Sequence, residues 1–167
     1  MEFTYESAKE WFDRYFEDVN AQQGPIETVP KLKKYFAPEL EFWMYTGRAS
    51  LKCPLSRDGL LVLFIHPGLR ERLTPQYYVI DVNRMIVVVQ FEIRFVDENS
   101  GTNWPPRQAS AHYHLTVDEN DGLSIKKIQY WTETFPPDVF ASMYEAWEEY
   151  RTKALSDLAV SYFAAAP

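Results

Sequence analysis

Gln108–Val117, QASAHYHLTV, alternates residue by residue between two kinds of side chain. Ser110, His112, His114 and Thr116 fall on one side; Ala109, Ala111, Tyr113, Leu115 and Val117 fall on the other. Successive side chains of an extended chain point to opposite faces, so the spacing predicts a β-strand with one polar and one apolar face. Upstream, Gln76–Asn83 and Met85–Val96 read as strands rich in β-branched and aromatic residues, with a tight turn near Asn83-Arg84. Downstream, Leu123–Glu133 pairs back across Glu119-Asn120-Asp121-Gly122, whose Asp-Gly is a strong hairpin signal. Asp97–Arg107 (DENSGTNWPPR) reads as a loop from its Asn, Gly and Pro content.

Before this run of strands the period is helical. A first helix capped by Ser7 and ending near Gln22 carries Trp11, Phe12, Tyr15, Phe16 and Val19 at three- and four-residue spacing. Gly24-Pro25 stops it, a short helix over Val29–Phe36 follows, and Pro38 opens a strand over Glu39–Tyr45. Ser56 starts a third helix, which Pro67-Gly68 ends. Pro136-Pro137-Asp138 starts a last helix, about 138–160, with Phe140, Met143, Tyr144 and Trp147 on one stripe. Helices followed by strands indicate an α+β layer fold and not alternating βαβ units. The 167 residues read as one domain, 1–167, large enough to bury roughly two thirds of its unfolded surface.

Composition narrows the function. A formal charge of −7 argues against nucleic acid, whose binding needs clustered Lys and Arg. No segment approaches the ~18 uninterrupted apolar residues of a membrane helix, and the N-terminal MEFTYESAKEW lacks the basic-then-apolar pattern of a secretory signal. Cys53, the single cysteine, excludes an internal disulfide and a cysteine-rich zinc site, so a cytoplasmic location is the expectation. Five Trp, eleven Tyr and eleven Phe suit either a cavity for a flat or cyclic ligand or an aromatic core and dimer face.

The element order resembles the nuclear transport factor 2-like superfamily, which includes ketosteroid isomerases, SnoaL-like polyketide cyclases and scytalone dehydratases. Three stretches, in matching order, are similar to scytalone dehydratase: Glu10-Trp11-Phe12-Asp13-Arg14-Tyr15, Ala37-Pro38-Glu39-Leu40 and Ser110-Ala111-His112. The resemblance implies a cystatin-like cone, a curved mixed or antiparallel sheet wrapped around the N-terminal helices. It matches Tyr15 to a pocket tyrosine, and Ser110 and His112 to pocket positions of the late strand. It also implies a terminal helix that covers the mouth of the cone, the alternative being that it packs on the barrel or on a partner. The departures are equally specific. The acidic residue that follows the tyrosine there is Phe16 here, and the two catalytic histidines fall near Tyr77 and near Arg94 or Phe95. The resemblance thus supports the fold and a cavity, and it argues against the dehydratase reaction.

These readings set the expectations for a site. His112 is the candidate acid or base, because an imidazole titrates near neutral pH; a histidine bonded across the sheet is the structural alternative. Asp81, amid Val79, Ile80 and Val82, is the second candidate base, provided it is not paired. Tyr15 and Tyr77 are the candidate donors to a substrate carbonyl. In Met85–Val96 the apolar set, which includes Phe91, Ile93 and Phe95, is assigned to the interior, and Gln90, Glu92 and Arg94 to an outer face suited to a homodimer. The polar face carrying Ser110 and His112 is placed inside with the apolar set, and Trp11, Phe140 and Met143 complete the candidate substrate wall. His112-x-His114 is also half of a metal site, with His66 and Glu92 or Glu133 as the remaining donors, but the ligand count is poor and no metal or cofactor is assigned. The expected function is binding of a small apolar or aromatic ligand. Its enzymatic form is a cofactor-free acid/base lyase, isomerase or cyclase acting on a small cyclic or aromatic carbonyl compound. The alternative is a non-catalytic ligand-binding or dimerisation module.

Overall fold

A computed structural model describes residues 3–46, 53–117 and 122–133. The expected terminal helix, with Phe140 and Met143, lies outside the described residues, as does most of the expected Glu119–Gly122 turn.

The first helix, α1 (Tyr5–Gln22), is set by a capping box that starts before Ser7. Thr4 is the N-cap: its hydroxyl accepts from the Ser7 amide at 3.1 Å, and the Ser7 hydroxyl accepts from the Thr4 amide at 2.9 Å. Ser7 therefore sits inside the first turn. Ala8, Trp11, Phe12, Tyr15, Phe16 and Val19 form the buried stripe, and each large member contributes roughly 1.5–3 kcal/mol by leaving water. The expected short helix is a 3₁₀ helix over Val29–Tyr35. The second α-helix, α2 (Arg57–Leu63), begins where expected, with the Ser56 hydroxyl accepting from the Gly59 amide.

Five strands form one curved, open, mixed sheet: β1 (Phe36–Thr46), β2 (Leu69–Asp81), β3 (Ile86–Asp97), β4 (Arg107–Val117) and β5 (Leu123–Thr132). Their spatial order is β1-β5-β4-β3-β2; β1 runs parallel to β5 and every other pair is antiparallel. β1 includes Pro38, which an edge strand tolerates because no neighbour needs its amide. β2 starts at Leu69 and not at Gln76, because Leu69-Arg70-Glu71-Arg72-Leu73 already alternates.

Cross-strand partners share a face, and this fixes which side each strand shows to the helices. Val87 opposes Tyr113, Val89 opposes Ala111 and Phe91 opposes Ala109, all buried. Val88 opposes His112 and Gln90 opposes Ser110 on the other face. The interior assignment of Phe91, Ile93 and Phe95 thus matches the structure. The inward placement of Ser110 and His112 does not, since one pleat cannot put the apolar sets of both strands and the polar set of β4 on the same side.

Two register shifts shape the concave face. The first, between Pro75 and Tyr77, inserts Gln76 as a bulge, so Glu71, Leu73 and Pro75 point inward before it and Tyr78 and Ile80 after it. Tyr77 and Val79 are consequently turned out and are 56% and 58% exposed. The second, between His114 and Leu115, inserts Lys126 into β5 and brings Ile128 and Tyr130 to the concave side. The edge of β2 is closed by α1: the Asn20 amide donates to the Leu73 carbonyl at 2.7 Å and its oxygen accepts from the Leu73 amide at 2.8 Å. The amide of Gln23, at the end of α1, donates to the Glu71 carbonyl. No helix among the described residues is long and apolar enough to cross a membrane.

Candidate functional site

Between the concave face and the helices lies a partly open cavity of about 100 Å³. Tyr15 enters it from α1, Leu60 and Leu63 from α2, Phe42 and Met44 from β1, Glu71 and Leu73 from β2, Phe91 and Phe95 from β3, Tyr113 from β4, and Ile128 and Tyr130 from β5. The wall is apolar except for three phenolic hydroxyls and one carboxyl. Among these residues none is a cation.

Glu71 is the acidic residue of this wall. It opposes Phe95 in the β2–β3 pair, and its side chain is 14% exposed. Burial without a compensating cation disfavours the carboxylate, and its pKa is pushed up from 4.5 to about 7. Behind it stands His66, 1% exposed, whose ring reaches Glu71 with Nε2 at 3.8 Å from Oε2. The position of His66 is set by a tight turn: Gly68 takes φ +85°, and the Leu69 amide donates to the His66 carbonyl at 3.1 Å. Its Nδ1 lies 2.7 Å from the Leu69 carbonyl, which only accepts, so Nδ1 carries the hydrogen.

The tyrosines are held in their neutral, donating form. Burial pushes the pKa of Tyr15, Tyr113 and Tyr130 up, and nearby Glu71 adds to the effect at Tyr15 and Tyr130. Tyr15 and Tyr113 hydrogen-bond to each other, with ring centroids 5.8 Å apart. Phe12 packs on Tyr113 at 4.9 Å and Phe16 on Phe91 at 5.7 Å, so the rings that carry the donors are fixed by the core. An acid that ionises near neutral pH, beside neutral hydroxyl donors in an apolar enclosure, can move a proton and stabilise the oxygen that becomes charged.

Of the residues expected from the sequence, Tyr15, Phe91 and Phe95 line this cavity. Ile93 is fully buried beside them without reaching it. Trp11 instead lines a surface cleft with Arg14, Asp18, Lys34 and Tyr35. Asp81 ends β2 and is paired: its carboxylate accepts from the Arg84 amide at 3.0 Å and from Nη1 at 2.9 Å, which lowers its pKa. Tyr77 faces outward, next to the bulge. His112 lies on the outer face against the Trp131 ring at 4.5 Å, and its pKa is lowered by burial and then by His114. His114 Nε2 meets Gln129 Oε1 at 3.3 Å. His66 is inside while His112 and His114 are outside, so the three do not converge on one metal. Among the described residues no three or more His, Cys, Asp or Glu gather at one point.

Glu71, Tyr113 and Tyr130 are the functional candidates that the sequence reading missed, and His66 entered it only as a possible metal donor. The available signal was Glu71 itself, a charged residue in phase with Leu69 and Leu73 on the apolar side of a strand.

Comparison with known proteins identifies the fold. No family model matches the chain, and no curated protein matches it. Solved structures do. ActVI-ORFA from Streptomyces coelicolor is similar with a TM-score of 0.56 at 8% identity, over 77% of this chain and 96% of that one. A putative polyketide cyclase from Xanthomonas campestris pv. campestris is similar at 0.55 and 13%, over 81% and 96%. Nuclear transport factor 2 from Cryptosporidium parvum is similar at 0.54 and 14%, over 74% and 90%.

The raised pKa of Glu71 has a definite effect on stability. A carboxyl whose folded pKa exceeds its unfolded value stabilises the fold fully below the unfolded pKa, and that contribution is lost as pH rises toward the folded one. From pH 4.5 to above pH 7 the shift is worth about 3 kcal/mol. Glu71→Gln, which cannot ionise, should therefore gain stability relative to wild type by an amount approaching this figure between pH 5 and pH 8, as measured by urea denaturation. A difference that stays flat with pH would place the Glu71 titration elsewhere.

Proposed function

We propose that this chain, which has the nuclear transport factor 2-like cone fold, binds a small neutral cyclic or aromatic carbonyl compound, or its phenolic or enolic form, in the cavity around Glu71, and that it moves a proton there without a cofactor. The observation that carries this reading is Glu71, a carboxyl in an apolar cavity with neutral tyrosines around it. Neutrality of the ligand follows from the wall: an anion would be buried with no cation among the lining residues, at a cost of several kcal/mol. The ring-shaped class follows from the apolar and aromatic lining. One protein of similar fold, from Xanthomonas campestris, is described as a putative polyketide cyclase, which agrees with chemistry on cyclic carbonyl compounds.

In this mechanism the Glu71 carboxylate takes a proton from the carbon next to the carbonyl. The C–H electron pair becomes the new C=C bond, the carbonyl π pair moves onto the oxygen, and the Tyr15 hydroxyl donates a hydrogen bond to that oxygen. Returning the proton to the same carbon gives exchange, returning it to another carbon gives isomerisation, and expelling a β-leaving group gives a lyase. Each outcome uses the same first step.

The test is exchange of the α-hydrogens of cyclohexanone for deuterium in heavy water, followed by proton NMR. The wild-type protein should accelerate exchange over buffer, Glu71→Gln should lower the protein-dependent rate by about a hundredfold to ten-thousandfold, and His112→Ala should leave it unchanged. Binding of the ketone without exchange would make the chain a ligand-binding module. Loss of exchange in His112→Ala with retention in Glu71→Gln would move the chemistry to the outer face.

A homodimer through the outer face belongs to the same reading. That face exposes Tyr77 and Val79 and carries Trp131 stacked on Tyr45 at 5.1 Å. Sedimentation velocity should show a dimer at micromolar protein that Val79→Lys dissociates; a wild-type monomer under those conditions would contradict it.

A further inference from the structure

We infer that Glu71 does not act alone: it shares a single proton with His66, with the carboxyl hydrogen directed at the imidazole Nε2, and this pair is the proton-transferring unit of the cavity. The inference rests on the reading of the cavity as a proton-transfer site and assigns His66 a positioning role behind Glu71.

Three observations carry it. First, the hydrogen of the His66 ring is committed. Nδ1 donates to the Leu69 carbonyl at 2.7 Å, so in the neutral ring Nε2 is a bare lone pair. Second, that lone pair is buried, has no hydrogen-bond partner among the described residues, and lies 3.8 Å from Glu71 Oε2. Leaving it unpaired costs about 1–3 kcal/mol, and closing the gap by about 1 Å brings a protonated Oε2 to hydrogen-bond distance. Third, Glu71 lines the cavity and His66 does not, so Glu71 stands between the imidazole and any ligand. Burial acts on both groups in the same sense, pushing Glu71 up and His66 down, so each favours its neutral form at rest. The other groups facing Glu71 are Tyr15 from α1, Tyr113 from β4 and Tyr130 from β5, with the Gln23 amide on its backbone carbonyl; none of them carries a positive charge.

The arrangement balances charge through the reaction. Transfer of the shared proton from Oε2 to Nε2 leaves a carboxylate facing the cavity and an imidazolium behind it. The carboxylate then accepts the ligand's α-hydrogen as a proton: the C–H bond breaks, an O–H bond forms, the C–H pair becomes a C=C bond, and the carbonyl π pair ends on the ligand oxygen as an enolate. The positive imidazolium offsets the enolate charge, and the reverse steps restore the resting pair. No oxidant, reductant or co-reactant is needed.

The test uses the full chain, labelled with nitrogen-15 and carbon-13 and free of ligand. The Glu71 carboxyl carbon and His66 Nε2 are followed by NMR as pH is raised. The inference expects both resonances to move with one midpoint and expects Glu71→Gln to remove that step from Nε2. It also expects His66→Asn, which keeps a donor for the Leu69 carbonyl but deletes Nε2, to lower the Glu71 midpoint by about one pH unit, the equivalent of one hydrogen bond to the neutral carboxyl. An Nε2 resonance that stays put through the Glu71 transition overturns the inference, as does an unchanged Glu71 midpoint in folded His66→Asn. Should that variant not fold, the wild-type and Glu71→Gln spectra decide alone. Because no ligand is present, this failure is distinct from absence of cyclohexanone exchange, which tests the function of the cavity.

Discussion

The interior of this fold is organised around the cost of keeping the Glu71 carboxyl on the apolar side of β2. A pKa of about 7 in place of 4.5 means that ionising this group in the fold costs about 3 kcal/mol more than in water. Such a position persists only where the surrounding structure fixes it. β2 is tied to α1 by the Asn20 amide on Leu73 and the Gln23 amide on the Glu71 carbonyl. The turn at Gly68 delivers His66 to its back, and the rings of Phe12 and Phe16 lock the tyrosine and phenylalanine neighbours in front. The helix therefore both closes an edge strand and holds the acid in place.

Much of this architecture was legible in the sequence. Alternation in Met85–Val96 and Gln108–Val117 located two central strands, the helical spacing of Trp11, Phe12, Tyr15, Phe16 and Val19 located the packed helix, and Ser56 located the start of α2. The errors share one physical origin: the parity of a strand is not a property of that strand alone. The pairing of Val88 with His112 puts both on the outer face, and this is visible only when β3 and β4 are laid side by side. The bulge at Gln76 reverses β2 halfway along, turning Tyr77 outward, and Pro75 just before it is the residue that marks the break in the ladder. Likewise Leu69–Pro75 does not read as a strand from composition, because Arg70, Glu71 and Arg72 interrupt its apolar character, although Leu69 and Leu73 keep the period.

The histidines illustrate how composition can mislead about chemistry. His112 and His114, conspicuous in the sequence, sit against Trp131 and Gln129 on the face turned away from the helices. His66, placed before a Pro-Gly turn, is the imidazole that meets a carboxyl inside the fold. What separates the two cases is burial and partner, not residue type. The cone similarity shared with ActVI-ORFA and with nuclear transport factor 2 extends to the scaffold; the chemistry argued for this chain comes from its own Glu71, Tyr15 and His66.

In the proposed function a ligand sits on the concave face around Glu71, and not on the histidine-bearing outer face. A crystal structure of the protein with para-bromophenol, located by the anomalous signal of bromine, tests it most directly. One bromine is expected inside the cavity between Phe91, Phe95 and Leu63, with the phenol oxygen in hydrogen-bond contact with Glu71 or Tyr15. Bromine found only on the outer face beside His112 and Trp131, with the cavity empty, would contradict it.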